Sequence, residues 1–248
     1  MSPPSPFYIR PAELRDLPRI TAVCLAGLPD DPTFDFLWNH RHEYPDDCYF
    51  FWLQSFKADL YNPRKTFLVA TEESFPINGC ITTVENWSIS KAYVRRDGDL
   101  ARRVAFGKTM GYVKSKYWEQ TYPENYHLIL LTTHPDYRRR GAATALSKWG
   151  IDQGRRAGIA IGVEASPMGF PLYQHLGFVL QEELTVECRS GENTATLPVK
   201  VMVYDKGTER LPNGTQIHSE VDTSLCTHAG ISTDTNQRKR KKKKKEKG

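Results

Sequence analysis

The chain has 248 residues, of which 39% are hydrophobic and 25% charged, long enough and apolar enough for one substantial core followed by a tail. Its formal charge of +5 is uneven: residues 238–247 carry nine basic side chains and Glu246, which leaves the rest of the chain at net −3 and places any nucleic-acid affinity mostly in the tail. Five scattered cysteines (Cys24, Cys48, Cys80, Cys188, Cys226) lack metal-ligand pairing, the opening "MSPPSPFYIR" lacks the basic and apolar regions of a secretory signal, and no run reaches the ~20 apolar residues of a membrane span, so reduced thiols in a soluble cytosolic or nuclear protein are expected.

Residues 1–6 are rich in proline and serine and read as a flexible start. Residues 7–10 predict a short strand, with Pro11 as its boundary. Leu14, Leu17, Thr21, Cys24, Leu25 and Leu28 then recur at helical spacing, and Pro29 stops the stripe. A second helix is expected over 47–60, where Phe50, Phe51, Leu53, Phe56 and Leu60 supply apolar bulk before the stop "NPR". "TFLVATEE" and "GCITTVENW" are β-prone runs around the loop "SFPIN", a hairpin or meander. Residues 91–121 are charged and read as helical, with Ala92, Val104, Phe106, Met110 and Val113 too irregular to define a core face; the segment is taken as an insertion near the site. "HLILLTT", residues 127–133, is the most continuous apolar run and predicts a central strand covered on both faces.

From Ala142 the period becomes helical, with Ala142, Ala145, Leu146 and Trp149 on one face and Gly158 as terminator. "IAIGVEAS" reads as a strand, "GFPLYQHLGF" as a short helix with a glycine stop, and "FVLQEELTVEC" and "PVKVMVYD" as two paired strands. Residues 206–248 are polar and aperiodic; such a segment buries too little apolar surface to offset ordering entropy, and disorder is expected there.

The order strand, "HPDYRRRG", helix has a chemical meaning. A helix start leaves backbone N–H groups unpaired at the positive end of the helix dipole. Gly141 permits a sharp turn and close backbone approach, Ala142 and Ala143 keep the approach open, and Arg138, Arg139 and Arg140 add charge, although not all three can face one ligand. On its own this pattern is equally a solvated basic turn that needed a glycine.

Together, "LLTTHPDYRRRGAATAL" and the downstream "VEASPMGFPLYQHLGF" resemble the GNAT superfamily of acetyl-CoA-dependent N-acetyltransferases. Arg138, Gly141 and Ala143 match the family pattern Q/RxxGxG/A; Leu172, Tyr173, Gly177 and Phe178 match LYxxxGF; and "IRPAELRDLPRI" is similar to a common first strand and helix. The resemblance covers most of residues 7–205 and is weakest over 91–121. It implies an α/β (α+β) fold with a mixed, twisted and splayed β-sheet flanked by helices, and acyl-CoA wedged where the central strands part. The pantetheine arm would pair with backbone near Leu131, Thr132 and Thr133, and the pyrophosphate would sit on amides of Arg139, Arg140, Gly141, Ala142, Ala143 and Thr144. No metal is implied.

Acetyl transfer to an amine needs a neutral nucleophile and a supported leaving group. A lysine-like amine with pKa ~10.4 costs roughly 4.6 kcal/mol to deprotonate at pH 7, so a base is expected. Glu164, ending the strand "IAIGVEAS", is the leading candidate beside an ordinary role as a strand-end carboxylate; Glu85 and His134 are weaker, His134 reading better as a turn residue. Tyr173 matches the family tyrosine that faces the departing sulfur. A phenol of pKa ~10 is a weaker acid than a thiol of ~8.5, so a hydrogen bond to the thiolate suffices in place of full proton transfer. Trp38, Tyr44, Phe50, Phe51 and Trp52 read as core residues with a share in an acceptor-facing wall.

The expected activity is direct acetyl transfer to an amine of a small molecule or a protein. The alternative is an acyl-CoA-binding regulatory or nucleic-acid-associated protein with weak or no catalysis. The terminal "RKRKKKKKEKG" is similar to an import signal and is equally open to RNA, DNA, an anionic membrane or mere solubilisation; without interleaved aromatics it offers no base stacking.

Overall fold

A computed structural model describes residues 7–72, 95–190 and 193–205. The runs "SFPIN" and "GCITTVENW", the candidate Glu85, Cys80, Cys226 and the whole of 206–248 lie outside the described residues.

Strand β1 (Phe7–Pro11) pairs antiparallel with β2 (Leu68–Glu72) as a two-stranded sheet. Between them lie α1 (Leu17–Gly27), α2 (Pro32–Leu37) and α3 (Pro45–Leu60). Proline near the start of each helix fits a position whose N–H is unpaired anyway. Their facing stripes, Leu17 and Cys24 with Phe34, Trp52, Leu53 and Phe56, form one apolar cluster. Cys24, Cys48 and Cys188 are buried free thiols. Asp47, only 1% exposed, takes the Arg96 guanidinium at 2.9 and 2.8 Å and so ties α3 to the segment leading into α4 (Leu100–Val113).

The second sheet has the order β3-β4-β6-β5, with β3 (Asn125–His127), β4 (Ala160–Ala165), β5 (Val179–Ser190) and β6 (Asn193–Tyr204). β3 is parallel to β4, and the other pairings are antiparallel, so the sheet is mixed. Alternation along β4 separates two environments. Ile161, Val163 and Ala165 pack with Ile151 of α5 (Ala142–Ala157), Met202 and Tyr204. Ala160, Gly162 and Glu164 share the opposite side, where Ala160 packs with Val113, Tyr117 and Trp118. Helix α5 lies against β1, β2, β3 and β4 and therefore spans both sheets.

Two expectations are corrected. "HLILLTT" is not one covered central strand: β3 ends at His127, the Leu128 N–H to Gly162 carbonyl bond (2.9 Å) is the last one to β4 among the described residues, and Ile129 is 63% exposed. Apolar content reports a tendency to be buried, and cannot say where a strand leaves its neighbour. The buried face of α5 is also different, running through Ala142, Ser147, Ile151 and Gly154 instead of Ala145, Leu146 and Trp149. Gly154 permits this approach, since a Cβ there would lie 2.7 Å from Ile161 Cδ1.

Candidate functional site

The site begins where residues 128–133 part from β4. At the far end of that run a 3-10 turn (Pro135–Tyr137) leads into α5; His134 caps it, its Nδ1 accepting from the Asp136 N–H at 3.3 Å. This is the turn role expected of His134. Arg139 has φ 63° and Gly141 φ 95°, so two left-handed residues reverse the chain just before α5. Nothing lies within 4 Å of the position a Gly141 Cβ would take, which leaves room against the first amides of a 16-residue helix.

Two of the three arginines have separate partners. Arg138 donates to the Gly27 carbonyl at 2.8 Å and pairs with Asp30, holding the turn to the end of α1. Arg140 pairs with Glu72 at 3.1 Å and lies over the Tyr137 ring. Arg139 is exposed. Backbone amides, with Arg139 beside them, are thus the donors most open to an anion.

Leu131, Thr132 and Thr133 sit outside the described strand ladders. Thr132 Oγ1 is buried without a partner, and Gly27 packs so closely that a Cβ there would be 2.5 Å from it. An unpaired hydroxyl beside unladdered backbone fits an amide-bearing chain such as pantetheine. Arg138, Arg139, Arg140, Gly141, Ala142, Ala143 and Thr144 follow directly, so strand run and anion turn are one continuous surface.

Tyr173 lies on α6 (Phe170–His175), 5% exposed and edge-on to Phe178. Gly177 at φ 92° stops the helix. Burial, with the nearby Asp31 carboxylate adding to it, pushes the Tyr173 phenol up from its ordinary value, so it is an O–H donor throughout the neutral range.

Glu164 is held from two sides. The Trp118 Nε1–H donates to Oε1 at 2.6 Å, and His127 Nε2 meets Oε2 at 2.7 Å. A carboxylate offers only acceptors, so that nitrogen carries the hydrogen and Nδ1 is left as the basic atom of a neutral ring. Trp118 belongs to a π-helical segment (Lys114–Thr121) that continues α4. Just past the end of β4, Ser166 donates to Asp31, the residue that caps α2 by accepting from the Thr33 N–H at 2.9 Å.

Asp31, Trp118, His127 and Ser166 were not singled out by the sequence. One signal existed for Trp118: Gly162, isolated in a strand, marks a close approach, and a Cβ there would stand 2.3 Å from the indole. Asp31 before Pro32 is likewise a helix-start signature. Among the described residues no cluster of His, Cys, Asp and Glu could hold a metal, and no helix is long and apolar enough to cross a membrane.

Comparisons agree with this geometry. Residues 100–189 match the family model described as acetyltransferase (GNAT) domain. An "Acetyltransferase" of Stachybotrys chartarum is 25% identical over 203 residues, covering 74% of this chain and 86% of its own. The apo form of a mutant agmatine N-acetyltransferase superposes with a TM-score of 0.51 at 16% identity, over 80% of this chain and 98% of its own. Mosquito arylalkylamine N-acetyltransferase like 5b gives 0.50 at 17% identity, over 80% and 99%. Residues 100–189 thus carry the match to a GNAT acetyltransferase domain, for which acetyl-CoA is the fitting cosubstrate, and the mixed sheet with its flanking helices shares the fold of the acetyltransferases it superposes on.

Proposed function

We propose that the protein acetylates an amine by direct transfer within a ternary complex with acetyl-CoA. One observation carries the reading: the run 128–133, which leaves β4 beyond Leu128, has the amides opening α5 and the exposed Arg139 beyond one end and the His127–Glu164 pair at the other. The first end suits a pyrophosphate, the second a cationic amine.

The proton balance follows from these groups. The ammonium first gives a proton to the Glu164–His127 pair, with His127 Nδ1 as acceptor and Glu164 holding Nε2–H in place. The neutral nitrogen attacks the thioester carbonyl, the C–N bond forms, and the C–S bond breaks. Tyr173 donates a hydrogen bond to the departing thiolate and keeps its own proton, since its raised pKa puts tyrosinate further out of reach. The second proton of the nitrogen passes to water as the amide forms, the CoA thiolate takes one proton from water on release, and His127 returns its proton to water before the next turnover. No metal has a part in the scheme.

The test is CoA release from acetyl-CoA with a panel of arylalkylamines, diamines, agmatine and lysine peptides. Amine-dependent release that falls at least ~100-fold in His127→Ala supports the reading, a loss in the range of a general base. Tight acetyl-CoA binding without turnover on any amine would favour a binding protein.

A further inference from the structure

Trp118 has no part in the scheme above, yet its placement is specific. The indole is 9% exposed, meets the His127 ring edge to face at 5.1 Å, and lies over Gly162, the one β4 position without a side chain. It arrives there on backbone of π-helical form, in which hydrogen bonds span five residues instead of four: the Tyr122 N–H bonds to the Tyr117 carbonyl at 2.7 Å, and the Thr121 hydroxyl reaches the Lys116 carbonyl at 2.8 Å. Such wider turns shift the side chains that follow around the helix axis. Tyr117 on the same segment is turned toward Glu182 at 3.0 Å while Trp118 is turned toward Glu164.

Glu164 has two oxygens and, among the described residues, two side-chain donors. With Oε1 fixed by the indole, Oε2 is left to His127, and rotation about the carboxylate is blocked. Removing the indole donor frees Glu164 to turn or to take both oxygens to solvent, and His127 then loses the group that fixes its tautomer. An apolar contact alone would not require the 2.6 Å N–H to oxygen bond.

We propose that Trp118, delivered by the π-helical segment, is a positioning residue for proton removal: its N–H sets the Glu164 carboxylate that orients His127. The proposal rests on the reading of the Glu164–His127 pair as proton acceptor. It acts on the chemical step and leaves the acetyl-CoA surface untouched, because that surface is built from residues 131–133 and 138–144.

The experiment is a double-mutant cycle on the full chain, with kcat, acetyl-CoA Kd by calorimetry and Tm read for each protein. The variants are Trp118→Phe, replacement of the Trp118 indole by its benzothiophene isostere, Glu164→Ala and the Trp118→Phe/Glu164→Ala pair. The isostere keeps the ring area and deletes only the donor, which separates positioning from packing. Expected are a fall of roughly tenfold in kcat for both Trp118 changes, an unchanged Kd, and no further fall when Trp118→Phe is added to Glu164→Ala. Equal losses from Trp118→Phe in both backgrounds, or full activity in the isostere, would overturn the positioning role while the pair's role stands. Normal kcat in Glu164→Ala would instead remove the underlying reading, and the proposal with it.

Discussion

The Ser166 hydroxyl donates a hydrogen bond to the Asp31 carboxylate, joining residues 135 positions apart where β4 ends. Asp31 also caps α2 through Thr33, and Ser166 Oγ accepts the Gly169 N–H at 3.2 Å ahead of α6. One carboxylate and one hydroxyl thus register the helical layer against the helix that carries Tyr173. Ser166 stands two residues after Glu164 in the chain, so the joint that assembles the fold also lies close along the strand to the Glu164–His127 pair.

Ser166→Ala removes the donor to Asp31 and the acceptor for Gly169 together. The carboxylate remains partly open to water, so the expected loss is that of about two ordinary hydrogen bonds, ~1–3 kcal/mol in urea unfolding. Acceptor KM should rise as the α1–α2 connection loosens. An unchanged unfolding midpoint with unchanged KM would show that the joint holds nothing in place.

Tyr173→Phe should lower kcat by roughly 10- to 100-fold and leave acetyl-CoA Kd within about twofold, because one hydrogen bond to a charged leaving group is lost and the ring is kept. Burial holds the phenol protonated, so Tyr173 ionisation should contribute no fall in kcat up to about pH 10, the ordinary tyrosine value. Full turnover in the purified variant would take Tyr173 out of the chemistry.

Strongly patterned parts of this chain were legible in order: β1, α1, α3, β2, α5, β4, α6 and the β5–β6 pair all stand where periodicity and turn residues put them. The glycine turn was legible because a φ of 95° at Gly141 and the helix after it are local matters. Other features are decided by distant partners. Where residues 128–133 leave β4 depends on the sheet as a whole, the Asp31–Ser166 bond spans most of the domain, and Trp118 finds Gly162 only after folding. Ser147 shows the same limit on a smaller scale: a serine on the buried face of α5, with its hydroxyl unpaired, runs against the pattern that marked the other face.

Gly141 separates backbone strain from ligand clash. Ala at this position must hold φ 95° but meets no atom within 4 Å, so Gly141→Ala should cost ~1–2 kcal/mol of stability and weaken acetyl-CoA modestly. Gly141→Glu adds a carboxylate where the pyrophosphate is expected, and Kd should rise at least ~100-fold at low salt, with part of the loss relieved by added salt. Equal affinities for the Ala and Glu variants would argue against an anion at this turn.

Three buried acids predict a weakness at alkaline pH. Burial pushes the Cys24 thiol up, with Cys48 nearby adding to it; burial, then the Asp97 charge, pushes Cys48 up to about 12; and Tyr173 is raised as described. All three therefore keep their protons in the folded state at pH values where the unfolded chain, with ordinary values of ~8.5 and ~10, has released them. The folded state binds more protons, so stability falls as pH rises: the full contribution is present below about pH 8.5, and each ionised group removes up to ~1.4 kcal/mol per further unit. Urea unfolding of the wild type at pH 7, 8.5 and 9.5 should show this decline, starting with the two thiols. Cys48→Ala will be less stable at pH 7 because it leaves a small cavity, but its disadvantage should shrink as pH rises, since lysines and other shared groups cancel in the difference. A constant difference across the three pH values would mean that the Cys48 thiol ionises alike in both states, against the burial that Leu17, Trp52 and Phe56 provide around it.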